Sequence, residues 1–194
     1  MNTTRLRVRL RDVEPTVLRV LDVPAASTLP ELHALLQAAL GWQDTHLHEF
    51  VTDQARFCMP EDERQDLGAG SRDGRTWRSE TGVALRELGT CFVYHYDFGD
   101  GWEHDVDVLG PGGDRPGCPY GEGACPPEDS GGPAGHRLLL TALADPAHPE
   151  HTRLREWAGE LPDFDQAATD ELVVQTVGAV PAALHQFAGE TSLN

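Results

Sequence analysis

Residues 91–109, CFVYHYDFGDGWEHDVDVL, decide the fold, because they contain two β-rich runs on either side of a Gly-Asp-Gly turn. A two-residue turn at Asp100 and Gly101 would mix aromatic side chains and carboxylates on one face of the hairpin. A three-residue turn over 99–101, with Gly101 in the left-handed conformation, separates them. We therefore predict a hairpin that has one aromatic, apolar face and one polar face.

The polar face of this hairpin carries an excess of carboxylates. In the predicted register Asp97 lies directly opposite Glu103, and like charges in that position destabilise a sheet unless a cation lies nearby. Two sources of positive charge remain open, a row of N-terminal arginines or a divalent metal ion. On the aromatic face the same register pairs Tyr96 with His104, which is either a hydrogen-bonded core histidine or a functional group.

The N-terminal part predicts two strands, a helix and a third strand. Leu6, Val8 and Leu10 alternate with arginines at positions 5, 7, 9 and 11, and a second β-rich run follows at 17–23. Ser or Thr before a proline and an early glutamate start a helix at 27–31, which Gly41 ends. The next strand is 46–52. This order is typical of a β-grasp-like α+β fold with a mixed sheet.

The remaining segments complete a single α+β domain over 1–194. We predict a ββαβ opening (1–59), a flexible loop (60–80), the central aromatic hairpin followed by a Gly/Pro/acidic loop (81–135), and a helical C-terminal part (136–194) that covers the sheet. Within the last part the patterns favour helices at 136–144, 149–157 and 165–177, with a further short helix at 181–187.

Composition excludes several classes of protein. The chain has 194 residues, of which 39% are hydrophobic, and its 32 acidic and 15 basic residues give a formal net charge of −17. A chain of this size can form a core, and no apolar run reaches the roughly 18–20 residues of a membrane helix. The N-terminal residues lack the apolar segment of a signal peptide. We therefore expect a cytoplasmic protein without a membrane partner.

The negative charge is concentrated in the second half of the chain. Residues 91–194 contain 18 acidic residues and 4 arginines, whereas residues 1–90 contain 14 and 11. Because nucleic acids are bound mainly through cations that neutralise phosphates, this charge disfavours direct binding of duplex DNA.

Several side chains in and near the hairpin could bind a divalent metal, the one cofactor that the sequence suggests. Carboxylates suit Mg²⁺ and Mn²⁺, while histidine and cysteine suit Zn²⁺. The candidate metal ligands are His46, His48, Asp97, His104, Cys118 and Cys125. The candidate catalytic residues are Asp97, Asp100, His104, Glu128 and Asp129. Alternatively, Glu128 and Asp129 cap the following helix or accept hydrogen bonds from loop amides.

Residues 94–104, YHYDFGDGWEH, match the signature Tyr-x-Tyr-Asp-Phe-Gly-Asp-x-Trp-x-His. This pattern, with further matches at 46–50, 118–121, 125–132 and 145–150, resembles the plasmid pRi ORF-3-like family, whose members are also labelled insertion-element passenger or TnpR-type proteins. The resemblance covers most of the chain and implies a compact α+β domain of uncharacterised role. Many relatives have Cys where this chain has Ser130. If that cysteine binds metal in the relatives, only Cys118 and Cys125 remain here.

The TnpR label would imply a serine recombinase, which needs an activated serine among arginines and a basic DNA-binding module. The serines of this chain lie in no such setting and its C-terminal part is acidic, so we discount recombination.

Three functions remain open. The first is a small domain that binds a protein or small molecule in a groove between the hairpin and the 118–132 loop. The second is a metal-dependent hydrolase or nuclease, which requires at least three of the candidate side chains to converge. The third is an acidic partner of a basic nucleic-acid-binding protein.

Overall fold

The computed structural model describes residues 2–59 and 74–190, and for residues 180–190 only the backbone. In these residues eight strands form one open mixed sheet accompanied by four helices, so the α+β prediction is confirmed. The strands are β1 Thr3–Leu10, β2 Leu18–Pro24, β3 His48–Val51, β4 Ala55–Cys58, β5 Thr76–Ser79, β6 Cys91–Tyr96, β7 Trp102–Pro111 and β8 Gly117–Glu122. The helices are α1 Leu29–Leu40, α2 Gly132–Ala144, α3 His151–Ala158 and α4 Gln166–Glu190.

The strand order in the sheet is β5-β4-β3-β6-β7-β1-β2-β8. Neighbouring strands are antiparallel except β4 and β5, which are parallel. The hairpin β6–β7 therefore occupies the middle of the sheet, as its aromatic pattern predicts. The predicted order of two strands, a helix and a strand is found in β1, β2, α1 and β3. However, β3 is shorter than the predicted strand 46–52, and β4 within the same opening is not predicted from the sequence.

Helix α1 has the ends that its sequence predicts. The Glu31 carboxylate accepts a hydrogen bond of 2.8 Å from the backbone N–H of Thr28, and Gly41 ends the helix with φ 79°. A left-handed terminal residue favours glycine because it has no Cβ. The leucines of the helix belong to the same hydrophobic core as Tyr94, Tyr96 and Trp102 of the hairpin, which are fully buried.

The N-terminal arginine row is paired with the acidic residues of β7. Strand β1 lies beside β7, and the arginines at positions 7 and 9 bind Asp107 and Asp105 at 2.9 and 2.6 Å. Arg11 binds both Asp105 and Glu103. The arginine alternative for neutralising the polar face is therefore confirmed for Glu103. Because these pairs are half-exposed, each contributes at most about 1 kcal/mol to stability.

The predicted register of the hairpin is wrong by two residues. Tyr96 pairs with Trp102 and Tyr94 pairs with His104, so the turn takes up residues 97–101. Asp97 lies in this turn with φ 55° and does not face Glu103. Because side chains alternate with a period of two, a two-residue shift leaves the aromatic and polar faces as predicted.

The Gly/Pro/acidic segment contains more regular structure than we predicted. Strand β7 continues to Pro111, and β8 pairs with β2 at the edge of the sheet. The sequence of β8 gives no β signal because it contains glycine and proline, which an edge strand tolerates. Strand β5 lies within the predicted loop 60–80, whereas residues 60–73 of that loop lie outside the described residues. The predicted short helix 181–187 is part of the backbone of α4.

Helix α4 packs against α1 and β8, and α2 and α3 pack together around Leu139, Ala142 and Leu154. None of the helices in the part of the chain that the structure describes combines the length and apolar character needed to cross a membrane.

Candidate functional site

The hydroxyl group of Tyr96 joins three segments that are distant in sequence. It donates a hydrogen bond of 2.6 Å to Glu128 Oε1 and accepts one of 3.0 Å from the backbone N–H of Thr45. The Thr45 hydroxyl donates to the same Glu128 oxygen at 3.2 Å. Burial and the Glu128 carboxylate raise the pKa of Tyr96 to about 12, so the hydroxyl keeps its proton. The segments around residues 45, 96 and 128 are thereby held together.

The residues that follow these three in sequence form a cluster of potential ligands. His46 Nε2 lies 3.2 Å from Asp129 Oδ1 and 3.6 Å from Asp97 Oδ2. All three donor atoms lie within 4.8 Å of one another, and among the described residues this is the one group of three or more His, Cys, Asp or Glu with that spacing. Three of the side chains proposed from sequence therefore come together.

The backbone of both aspartates has an unusual conformation. Asp97 and Asp129 have φ 55° and 58°, in the left-handed region that aspartate tolerates better than most residues. In the turn, Asp97 Oδ1 accepts hydrogen bonds from the N–H groups of Gly99 and Asp100, at 2.9 and 3.2 Å. This leaves Oδ2 directed toward His46. Non-glycine residues in this region often cluster at binding sites, where the surrounding structure holds them.

Asp100 connects the hairpin turn to the loop that carries Asp129. Its carboxylate accepts a hydrogen bond of 2.9 Å from the N–H of Gly131. The next residue, Gly132, has φ 68°, and a Cβ there would collide with the Asp100 carbonyl oxygen. The two loops are thus in close contact. The Asp100 carboxylate holds them together and is not one of the three side chains of the cluster.

The Nε2 atom of His46 is buried and has no hydrogen-bond partner. A buried polar atom without a partner costs about 1–3 kcal/mol, so such atoms in native proteins require an explanation. Ligand atoms bound to one ion at about 2.0–2.2 Å lie roughly 2.8–3.6 Å apart, by the geometry of tetrahedral and octahedral sites. The two distances from His46 Nε2 to the carboxylates fall in this range.

Two other candidate histidines lie in the core and away from this cluster. His48 accepts or donates a hydrogen bond of 3.0 Å with Glu80, and its ring stacks on His33 at 3.5 Å between centroids. His104 is fully buried, with the ring of Trp42 edge-on at 5.3 Å. Burial lowers the pKa of His104 to about 3, so the ring is neutral.

The two candidate cysteines lie near Arg19. Desolvation raises the pKa of both thiols, that of Cys125 to about 12, and the Arg19 guanidinium opposes the shift. Arg19 is 2% exposed and donates hydrogen bonds to the carbonyl groups of Leu18, Ala39, Glu122 and Gly123. Sequence reasoning missed both this buried arginine and Thr45, and no pattern in the sequence marks either one.

A groove of about 780 Å³ begins beside the cluster and runs along the end of α1 and the first half of α4. Glu128 and Asp129 lie on its border, together with residues of the 124–127 loop and of the 157–165 segment. Residues of the hairpin β6–β7 do not line it. Asp129 is the residue of the cluster that also lines the groove.

Comparison with known proteins identifies the family. The sequence model described as "Plasmid pRiA4b ORF-3-like protein" matches residues 2–172, which include the hairpin and all three residues of the cluster. The chain belongs to this plasmid ORF-3-like family. An uncharacterized relative, protein y4hQ of Sinorhizobium fredii (strain NBRC 101917 / NGR234), is 41% identical over 174 residues, which cover 87% of each chain.

The fold of the ORF-3-like family also has a counterpart among solved structures. The crystal structure of a protein of unknown function, MM3350 from Methanosarcina mazei Go1, is similar with a TM-score of 0.71 and 28% sequence identity. The match covers 86% of this chain and 96% of the other. The resemblance that the hairpin motif indicates is confirmed, and these relatives have no characterised role.

Proposed function

We propose that this ORF-3-like protein is a binding domain that holds a divalent metal ion between His46, Asp97 and Asp129. The observation that carries the proposal is the convergence of one imidazole and two carboxylates around a buried Nε2 atom that makes no hydrogen bond. The ion would satisfy this atom and neutralise two carboxylates that otherwise lie close together. It would also connect loops that are joined by Tyr96 and Asp100.

The chemistry of the three ligands favours certain ions. One imidazole nitrogen and two carboxylate oxygens suit Zn²⁺ and Mn²⁺ better than a soft ion such as Cu(I). Ca²⁺ prefers sites made of oxygen ligands alone, so the histidine nitrogen in this cluster disfavours Ca²⁺. Three protein ligands leave at least one coordination position for water or for a group of a bound ligand.

The same open position supports a second candidate function, a metal-dependent hydrolase. A metal ion lowers the pKa of a bound water, and the adjoining groove could hold the substrate. Glu128 is bonded to Tyr96 and Thr45, so it would position the ligands rather than act as the base. Carboxylates on the border of the groove favour a substrate without phosphate groups and disfavour the nuclease alternative.

We also propose that duplex DNA is not a direct partner of this protein. Arg7, Arg9 and Arg11 form the most basic stretch of the described residues, and each binds a carboxylate of β7. A phosphate would have to displace these partners to be bound. The partner we propose is therefore a small molecule or a protein surface that approaches the groove.

Metal content tests the proposal directly. Protein stripped with a chelator is dialysed against Zn²⁺ or Mn²⁺, and bound metal is measured by mass spectrometry. We expect near-stoichiometric binding of at least one of the two ions. The variants Asp97→Asn and Asp129→Asn should lose it, because asparagine keeps the turn conformation but is a weaker, neutral ligand.

The exposed residue Asp114 offers a matched control, since Asp114→Asn makes the same change of charge outside the cluster. This variant should bind metal as the unmodified protein does. The proposal is wrong if the stripped protein binds neither ion, or if Asp129→Asn binds as much metal as Asp114→Asn.

A further inference from the structure

The groove beside the cluster has an apolar wall that is open to solvent. Trp157 and Leu172 line it and are each 47% exposed, although side chains of this size are usually covered. The side chains of Trp42, Leu161 and Phe164 complete the wall. The volume of about 780 Å³ lies within the range of about 300–1,000 Å³ that is typical of small-molecule sites.

The solvent-exposed charges in the lining of the groove are all negative. The charged side chains in its lining are those of Arg19, Glu128, Asp129, Asp163 and Asp165. The Arg19 cation is 2% exposed, and the ring of Phe164 covers its guanidinium at 3.9 Å. A ligand in the groove therefore meets carboxylates and no exposed cation.

The four carboxylates do not have equal freedom to bind a ligand. Asp165 accepts hydrogen bonds from the N–H groups of residues 167 and 168 at the start of α4, at 2.9 and 3.0 Å. Glu128 is bonded to Tyr96 and Thr45, and Asp129 belongs to the proposed metal cluster. Asp163 is exposed and lies between Leu161 and Phe164 in the sequence. It is the carboxylate best placed to meet a cation whose apolar part contacts the wall.

We propose that this groove binds an organic cation, a small amine that carries an aromatic or branched aliphatic group. The apolar group packs against Trp157 and Leu172, and the ammonium group lies near Asp163. An indole ring attracts cations through its face, which adds to the attraction of the carboxylate. The two side chains that would hold the amine, Trp157 and Asp163, lie outside the metal cluster, although Asp129 borders both the cluster and the groove.

Two probes of nearly equal shape test the sign of the charge. Binding of 2-phenylethylammonium and of 3-phenylpropionate is measured by titration followed by amide chemical shifts, on the metal-stripped and the metal-loaded protein. We expect the cation to bind in both forms, with shifts confined to residues of the groove. The anion should bind at least about fivefold more weakly, as expected for the loss of roughly 1 kcal/mol of electrostatic attraction.

Two variants locate the site. Trp157→Ala should abolish saturable binding of the cation, and Asp163→Asn should weaken it about fivefold, while Asp114→Asn leaves it unchanged. The exposure of both residues means that the fold should tolerate their replacement. The proposal is overturned if the two probes bind equally, if neither binds, or if Trp157→Ala binds the cation as the unmodified protein does. These outcomes do not depend on whether the cluster binds a metal.

Discussion

Replacement of His46 by alanine is expected to weaken binding of Zn²⁺ by about 100-fold or more, which corresponds to about 2.7 kcal/mol. The change removes the imidazole ligand and leaves two carboxylates that bind the ion less selectively. Replacement of residues that merely orient a ligand already costs about 10–100-fold in affinity, so loss of a ligand should cost at least as much. Calorimetric titration of the stripped protein with Zn²⁺ measures this difference.

The fold should survive this replacement, because the His46 side chain is 27% exposed and its Nε2 makes no hydrogen bond. His148, which lies between α2 and α3, offers a control histidine outside the cluster. His148→Ala should bind Zn²⁺ with unchanged affinity. Equal affinities in His46→Ala and His148→Ala would mean that any metal observed is bound elsewhere.

Acidification from pH 6.5 to 4.5 is expected to destabilise the protein by about 2 kcal/mol through His104 alone. Burial lowers the pKa of this ring to about 3 in the folded state, whereas an unfolded chain binds the proton near pH 6.5. Between these two values the unfolded state holds more protons, so the free energy of unfolding falls as the pH falls. Burial also lowers the pKa of His33, which acts in the same direction.

Urea unfolding at several pH values between 7 and 4.5 measures this slope. The carboxylates whose pKa is lowered by arginine partners, such as Asp22 and Asp105, lose their contribution mainly below about pH 4 and lie outside this window. His104→Gln should be less stable at pH 7 but should lose about 1 kcal/mol less per pH unit. If the free energy of unfolding of His104→Gln and of the unmodified protein fell equally with pH, the pKa of His104 would be the same in the folded and unfolded states. That result would contradict the burial effect.

The arrangement of the central sheet follows largely from alternation in the sequence. The aromatic face of the hairpin and the pairing of the N-terminal arginines with β7 both depend on a period of two, which the sequence displays. The register depends on Asp97, whose side chain binds the N–H groups of Gly99 and Asp100 and lengthens the turn. A turn stabilised by one side chain cannot be distinguished from a shorter Gly-Asp-Gly turn by residue type alone.

The candidate site was predictable as a set of residues but not as a geometry. His46 and His48 both fall within the predicted strand 46–52, yet His46 lies in a loop before β3 whereas His48 faces the core and stacks on His33. Their different roles depend on where β3 begins. The convergence of His46 with Asp129 depends on the Tyr96 hydroxyl, and a hydrogen bond between distant segments leaves no mark in the local pattern.

Diffraction from crystals grown with Zn²⁺, recorded on either side of the zinc absorption edge, tests the central claim most directly. We expect an anomalous peak about 2.0–2.2 Å from His46 Nε2 and from one oxygen each of Asp97 and Asp129. A peak beside Cys118 and Cys125 instead, or no peak between these three residues in protein saturated with Zn²⁺, would contradict this claim.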